Sequence, residues 1–140
     1  MPRPYLVAVC SASALDQRSN NFSLFTLIEQ VQVAQFPAAL PLEVHVYYEF
    51  DEAELGRPYE IRLELFNEQA ALVWHSPWIT MTSPSRRHRM VLSGIQFPSP
   101  ALFHVHAVHR IAEGAVDDTV RSSGWPIEVG QATLDAPPRA

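Results

Sequence analysis

The sequence predicts an all-β chain, a single antiparallel β-sandwich of about seven to eight strands with immunoglobulin-like or related topology. Three observations lead there. Hydrophobicity alternates with period two along most of the chain, no stretch sustains a helical period, and prolines, 12 in 140 residues, fall at the joints between alternating runs. Such alternation implies sheets with one face in the core and one face wet, which is antiparallel behaviour.

The elements follow in order. YLVAVCS, residues 5–11, is a β-prone run closed by the polar LDQRSNN. In NFSLFTLIEQVQV, residues 21–33, Phe25, Ile28 and Gln32 fall at helical spacing, but Phe22, Leu24, Thr26 and Ile28 alternate better, so a strand is predicted. LEVHVYYEF, residues 42–50, places Leu42, Val44, Val46, Tyr48 and Phe50 on one face and Glu43, His45, Tyr47 and Glu49 on the other. YEIRLELF, residues 59–66, sets Tyr59, Ile61, Leu63 and Leu65 against Glu60, Arg62 and Glu64. The link DEAELGRP, with Gly56 and Pro58, is expected to make these two strands neighbours. NEQA reads as a turn, and ALVWHSPWITM as an edge strand interrupted at Pro77, because proline donates no ladder hydrogen bond. A strand ending near Ser93, an irregular segment with Gly94, Pro98 and Pro100, and a strand through Val108 come next. TVRSSGWPIEVG is a last strand broken at Gly124, so residues 1–130 form one domain and residues 131–140 a flexible tail.

At 140 residues a single domain can bury roughly two-thirds of the surface its unfolded chain exposes. The lone cysteine, Cys10, excludes an intrachain disulfide and suits a reducing compartment. The formal charge is −5 and all ten basic residues are arginines. An acidic balance argues against nucleic-acid binding, and the absence of lysine excludes Schiff-base chemistry and a phosphate-loop lysine. A GC-rich coding bias explains the arginines simply. The apolar run at residues 5–10 is too short for a signal-peptide core, Val9 spoils a lipoprotein reading, and nothing approaches the roughly 18 apolar residues of a membrane span. A soluble, cytoplasmic protein with no membrane contact is expected.

A short strand ending in a cysteine, a polar turn, a "kLsLiGifd"-like strand and a "FPa" element open the sequences of one family of uncharacterised bacterial proteins. Here Cys10, residues 22–28, and Phe36 with Pro37 fill those places. The family's "eirLel.n..g" hairpin is met by YEIRLELFNEQA, with Gln69 or Ala70 where the turn glycine usually stands. The chain resembles this family over roughly its first hundred residues, and the resemblance implies a β-sandwich while leaving function open.

Candidate chemistry is sparse. HVHAVHR, residues 104–110, holds three of the six histidines. On a regular strand His104 and His106 project to the same side, about 7 Å apart, as metal ligands or as imidazoles on a wet face. His109 falls on the opposite, Phe103 face. The cupin pattern also wants a nearby carboxylate and a preceding glycine, and Glu113 comes too late; His45 or Glu43 from a neighbouring strand is the remaining way to complete a site. In SPSRRHR, residues 83–89, Arg86, Arg87 and Arg89 on a loop could fork onto phosphate or carboxylate, or form a solvated basic turn. Cys10 ends an apolar run and reads as a small buried hydrophobe, and no serine sits in a nucleophile elbow. Asp51 with Glu52, and Asp117 with Asp118, fall in turns. Trp74 and Trp78 share a strand phase, in the core or as an exposed anchor.

No catalytic, cofactor or metal residue is therefore assigned. The sequence supports a non-enzymatic protein-interaction or oligomer-forming module that holds a protein partner or a second copy. A metal-binding domain or metal-dependent enzyme centred on His104 and His106 is the alternative, and anionic-ligand binding by the loop at residues 86–89 the second.

Overall fold

A strand with alternating side chains buries its apolar face only when other strands pack against it, and this chain meets that demand with several sheets around one core. The computed structural model describes residues 1–112 and 118–133. The strands are β1 (Arg3–Asp16), β2 (Asn21–Leu27), β3 (Gln30–Val33), β4 (Ala38–Ala39), β5 (Glu43–Glu49), β6 (Pro58–Phe66), β7 (Leu72–His75), β8 (Ile79–Thr82), β9 (Arg87–Ser93), β10 (Gln96–Phe97), β11 (Ala101–Ile111), β12 (Thr119–Arg121) and β13 (Trp125–Gln131). Among the described residues the one helical element is a 3-10 turn at Glu52–Glu54.

The smaller sheet runs β2-β1-β5-β9, and the larger β3-β13-β11-β6-β7, with β12 beside β11 and β8 beside β6. The short β4 and β10 pair with each other. Val7, Val9, Val44, Val46 and Tyr48 from the smaller sheet meet Ile61, Leu63, Leu65, Phe103, Val105, Ile127 and Val129 from the larger in one continuous core. The apolar faces of β5 and β6 read from the sequence are the ones that line this core. The arrangement is all-β with several sheets, in keeping with a sandwich or barrel.

Several expectations are corrected. Thirteen strands appear among the described residues instead of seven or eight, because bends cut long runs into pieces. The predicted strand at residues 21–33 divides at residues 28–29, and its halves join different sheets: β2 pairs with β1, and β3 lies parallel to β13, so the pairing is not wholly antiparallel. β5 and β6 are not neighbours. Both edges of β5 are taken, by β1 and β9, and both edges of β6, by β11 and by β7 with β8. The link therefore crosses between sheets. Phe50 turns inward, the Glu54 carboxylate accepts the Asp51 N–H at 2.7 Å, and Gly56 takes the left-handed φ of 73° that this reversal needs.

The interruption at Pro77 is as expected, with β7 and β8 on either side of it. Ser76 bridges the gap: its Oγ accepts the Leu63 N–H at 2.8 Å and its own N–H donates to the Leu63 carbonyl at 3.0 Å. β12 and β13 are likewise separated around Gly124. Gln131, the first residue of the predicted tail, still pairs with Val33, while residues 134–140 lie outside the described residues.

His109 sits on the core face of β11, as its strand phase predicts, edge-on to Tyr48 with ring centroids 5.2 Å apart. Burial pushes its pKa down to about 4, and the Pro2 backbone opposes this only in part. An unfolded chain titrates the same group near 6.5, so between these values the unfolded state holds the extra proton. Stability that is full above pH ~6.5 is lost as pH falls toward 4, by roughly 3 kcal/mol in all. Urea titrations at pH 7 and pH 4.5 should show this loss, and His109→Leu should reduce it.

Candidate functional site

The smaller sheet's outer face is the place where local reasoning and structure part most sharply. Residues 3–10 of β1 pair with β5, and the ladder ends where Cys10 faces Glu43. Beyond it β1 continues only with β2, from Cys10 opposite Leu27 to Asp16 opposite Asn21. Thr26 interrupts this hairpin with a φ of 54°, a conformation that a β-branched residue rarely adopts. The hairpin leaves the sheet there and folds over its outer face. Ser13 Oγ donates to Glu43 Oε1 at 2.6 Å, the Phe22 ring meets His45 edge-on at 5.5 Å, and the Arg89 guanidinium lies 4.6 Å above Phe22. A face predicted to be wet is thus covered: Ala8 is 3% exposed, and Cys10 and His45 are fully buried.

Between the hairpin tip and the sheet lies a groove of about 480 Å³, lined by Tyr5, Ser19, Asn20, Asn21, Phe22, Tyr47, Arg87 and Arg89. The Tyr5 and Tyr47 rings stand 6.0 Å apart. Burial pushes the Tyr47 phenol up, and the nearby Arg89 charge pulls it part of the way back. The arginines belong to strand β9, not to a loop, because Arg87 and Arg89 continue the ladder opposite Glu49 and Tyr47. Alternation sends these two into the groove, while His88 turns toward Phe50. Arg86 precedes the strand and does not line the groove. Arg3, Arg62, Arg110 and Arg121 all have carboxylate partners, but among the described residues Arg87 and Arg89 have none. Glu49, opposite Arg87 in the ladder, pairs with Arg3 at 3.7 Å.

His104 and His106 share a side, as predicted, on the outer face of the larger sheet. They border a shallow cavity with Phe66, Asn67, Glu68 and Arg121. His106 Nδ1 lies 2.8 Å from the Ser122 carbonyl and its ring stands edge-on to Phe66. No third histidine, cysteine or carboxylate donor joins them among the described residues. The suggested completion by His45 or Glu43 fails, since both belong to β5 in the other sheet. Glu64, opposite His106 in the ladder, is occupied by Arg62 at 2.6 Å and Arg121 at 2.9 Å. Burial alone would raise its pKa, but the two guanidinium groups outweigh burial and hold the carboxyl low.

Trp74 packs against the core, whereas Trp78 lies under the guanidinium groups of Arg62 and Arg110, 4.5 and 4.0 Å from its ring. Neither is an open anchor. Asp51 and Glu52 stand at the 3-10 turn, and Asp117 lies outside the described residues.

Alternation along residues 42–50 puts Glu43 and His45 on one face but says nothing of Cys10, which the fold brings to them. One donor atom from each lies within 4.8 Å of the others. Their meeting depends on strand register, which no local pattern reveals. The Ser13 hydroxyl, then His45, hold the Glu43 carboxyl below its usual range, while burial and the Glu43 charge push the Cys10 thiol up. His45 Nε2 is 2.9 Å from Glu43 Oε1, and its buried Nδ1 has no hydrogen-bond partner.

Compared with protein-family models, with curated proteins and with solved structures, the chain matches none.

Gly124 keeps the larger sheet's histidine face in place, since a Cβ there would come within 2.8 Å of the His106 ring. Gly124→Ala should cost about 1–3 kcal/mol in urea unfolding and shift the His106 ring signals in NMR, with those of His45 unmoved.

Proposed function

We propose that this protein is a non-enzymatic binding module, a β-sandwich of immunoglobulin-like or related topology whose groove takes a carboxylate or phosphate group of a partner. The observation that carries this reading is the pair of guanidinium groups, Arg87 and Arg89, directed into a concave, aromatic-walled groove without carboxylate partners among the described residues. In a chain of net charge −5, cations left unpaired in a cavity are better suited to an anion than to balancing the surface. Tyr5 and Tyr47 supply rigid area and hydroxyls, and Asn20 and Asn21 supply amides. The groove lining includes no histidine, cysteine or carboxylate, so it offers donors to bind with and no side chain suited to proton transfer near neutral pH. No helix of the described residues is long and apolar enough to cross a membrane, and the single cysteine suits a cytoplasmic setting.

A second reading, self-association, is favoured by the outer strand β2, where Phe25 and Leu27 are 50% and 52% exposed beside a sheet edge that no strand pairs among the described residues. Light scattering at micromolar concentration should then return a multiple of the chain mass.

For the groove, titrations with inorganic phosphate, citrate and a polyglutamate peptide should show binding that weakens as salt rises. The double variant Arg87→Ala with Arg89→Ala should lose about tenfold or more in affinity, while Arg62→Ala should not. Salt-independent binding, or an unchanged double variant, would overturn the reading.

A further inference from the structure

The smaller sheet's covered face holds a second arrangement, made of residues that do not line the groove. Cys10 and Glu43 face each other across the β1–β5 ladder, and Glu43 and His45 are two residues apart on one face of β5. Strand pairing therefore fixes a sulfur, an oxygen and an imidazole nitrogen on one small area of sheet. We propose that Cys10, Glu43 and His45 form a binding site for a divalent transition-metal ion of the zinc type.

Several observations converge on this. The donor atoms lie within 4.8 Å of one another. A tetrahedral ion with bonds of about 2.0–2.3 Å needs its donors roughly 3.3–3.8 Å apart, so an ion would part the direct 2.9 Å contact of His45 Nε2 with Glu43 Oε1 and sit within the 4.8 Å spread of the three donors. Thiolate, imidazole and carboxylate together suit zinc, and three protein ligands leave a fourth position for water. His45 adds an independent sign. Its side chain is fully buried, yet only one ring nitrogen has a partner; the other is an orphan in the interior. Nε2, 2.9 Å from Glu43 Oε1, lies inside the trio, and the unpartnered Nδ1 leaves the buried ring's hydrogen bonding incomplete.

The surroundings fit as well. Ser13 Oγ already orients the Glu43 carboxylate at 2.6 Å, the role that outer partners play around metal ligands. Glu43 is 29% exposed and gives an ion a way in. A nucleophilic role for Cys10 fits less well, because the thiol is fully buried and a carboxylate beside it disfavours the thiolate. A cation reverses that balance. On binding, the sulfur–hydrogen bond breaks, the proton passes to solvent, and the sulfur keeps the electron pair it donates to the ion. Because Cys10 lies where the hairpin departs from the sheet, the ion would clamp the hairpin at its root.

The test is a cobalt(II) titration of full-length, untagged protein under reducing conditions, followed by competition with zinc. The expected result is one ion per chain, a thiolate-to-cobalt charge-transfer band with tetrahedral visible bands, and displacement by zinc. Cys10→Ser should abolish the charge-transfer band, Glu43→Gln should weaken binding at least about tenfold, and the pair His104→Ala with His106→Ala should leave the titration unchanged. Circular dichroism of each variant establishes that it is folded. A folded wild-type protein without the band, a band that survives Cys10→Ser, or binding lost only with His104 and His106 would overturn the proposal. Retention of cobalt binding in the Arg87→Ala, Arg89→Ala variant would keep this site distinct from the groove.

Discussion

One side-chain junction organises the smaller sheet's outer face: Glu43 Oε1, reached by the Ser13 hydroxyl at 2.6 Å and by His45 Nε2 at 2.9 Å. It joins the first hairpin to the sheet beneath. Without that attachment, Ala8, Cys10 and His45 would face water on the solvent side of an antiparallel sheet. With it, the hairpin tip stands over Tyr47 and Arg89, and the same closure that buries the Cys10, Glu43 and His45 cluster also makes one wall of the groove. Phe22 links the two, touching His45 on one side and the Arg89 guanidinium on the other.

The larger sheet treats its outer face differently. Its arginines are spent on neighbours: Arg62 and Arg121 on Glu64, Arg110 on Glu60, and Arg62 with Arg110 over Trp78. Such a network satisfies a nearly buried carboxylate and leaves little charge to recruit a ligand. The contrast between paired arginines there and those on β9, which have no carboxylate partner among the described residues, is what gives the groove its chemical character. His104 and His106, at the border of that satisfied face, answer to local packing against Phe66, Ser122 and Gly124.

Much of the fold was legible because period-two alternation is a local signal. The faces of β5 and β6, the break at Pro77, the gap at Gly124 and the core position of His109 all follow from it. What alternation cannot carry is register and the choice of partner. Eight residues between two good strands look like a hairpin connection, yet Phe50 is drawn into the core and the chain crosses to the other sheet. Likewise, nothing in FTLIEQ announces that Thr26 adopts a left-handed backbone and that the strand there changes sheets. The candidate sites suffered most. Arg87 and Arg89 were visible as a basic cluster, but Tyr5, Asn20 and Tyr47 join them only through tertiary closure, and Cys10 meets His45 only through ladder register.

Both sites depend on the hairpin covering the outer face, and the reactivity of Cys10 toward a thiol reagent measures that cover directly. In the native protein the thiol should react far more slowly than in urea-unfolded chain, at a rate set by hairpin opening, and Ser13→Ala with Phe22→Ala should speed the reaction while the core stays folded. Immediate stoichiometric labelling of the native protein would contradict the closure on which both proposed sites depend.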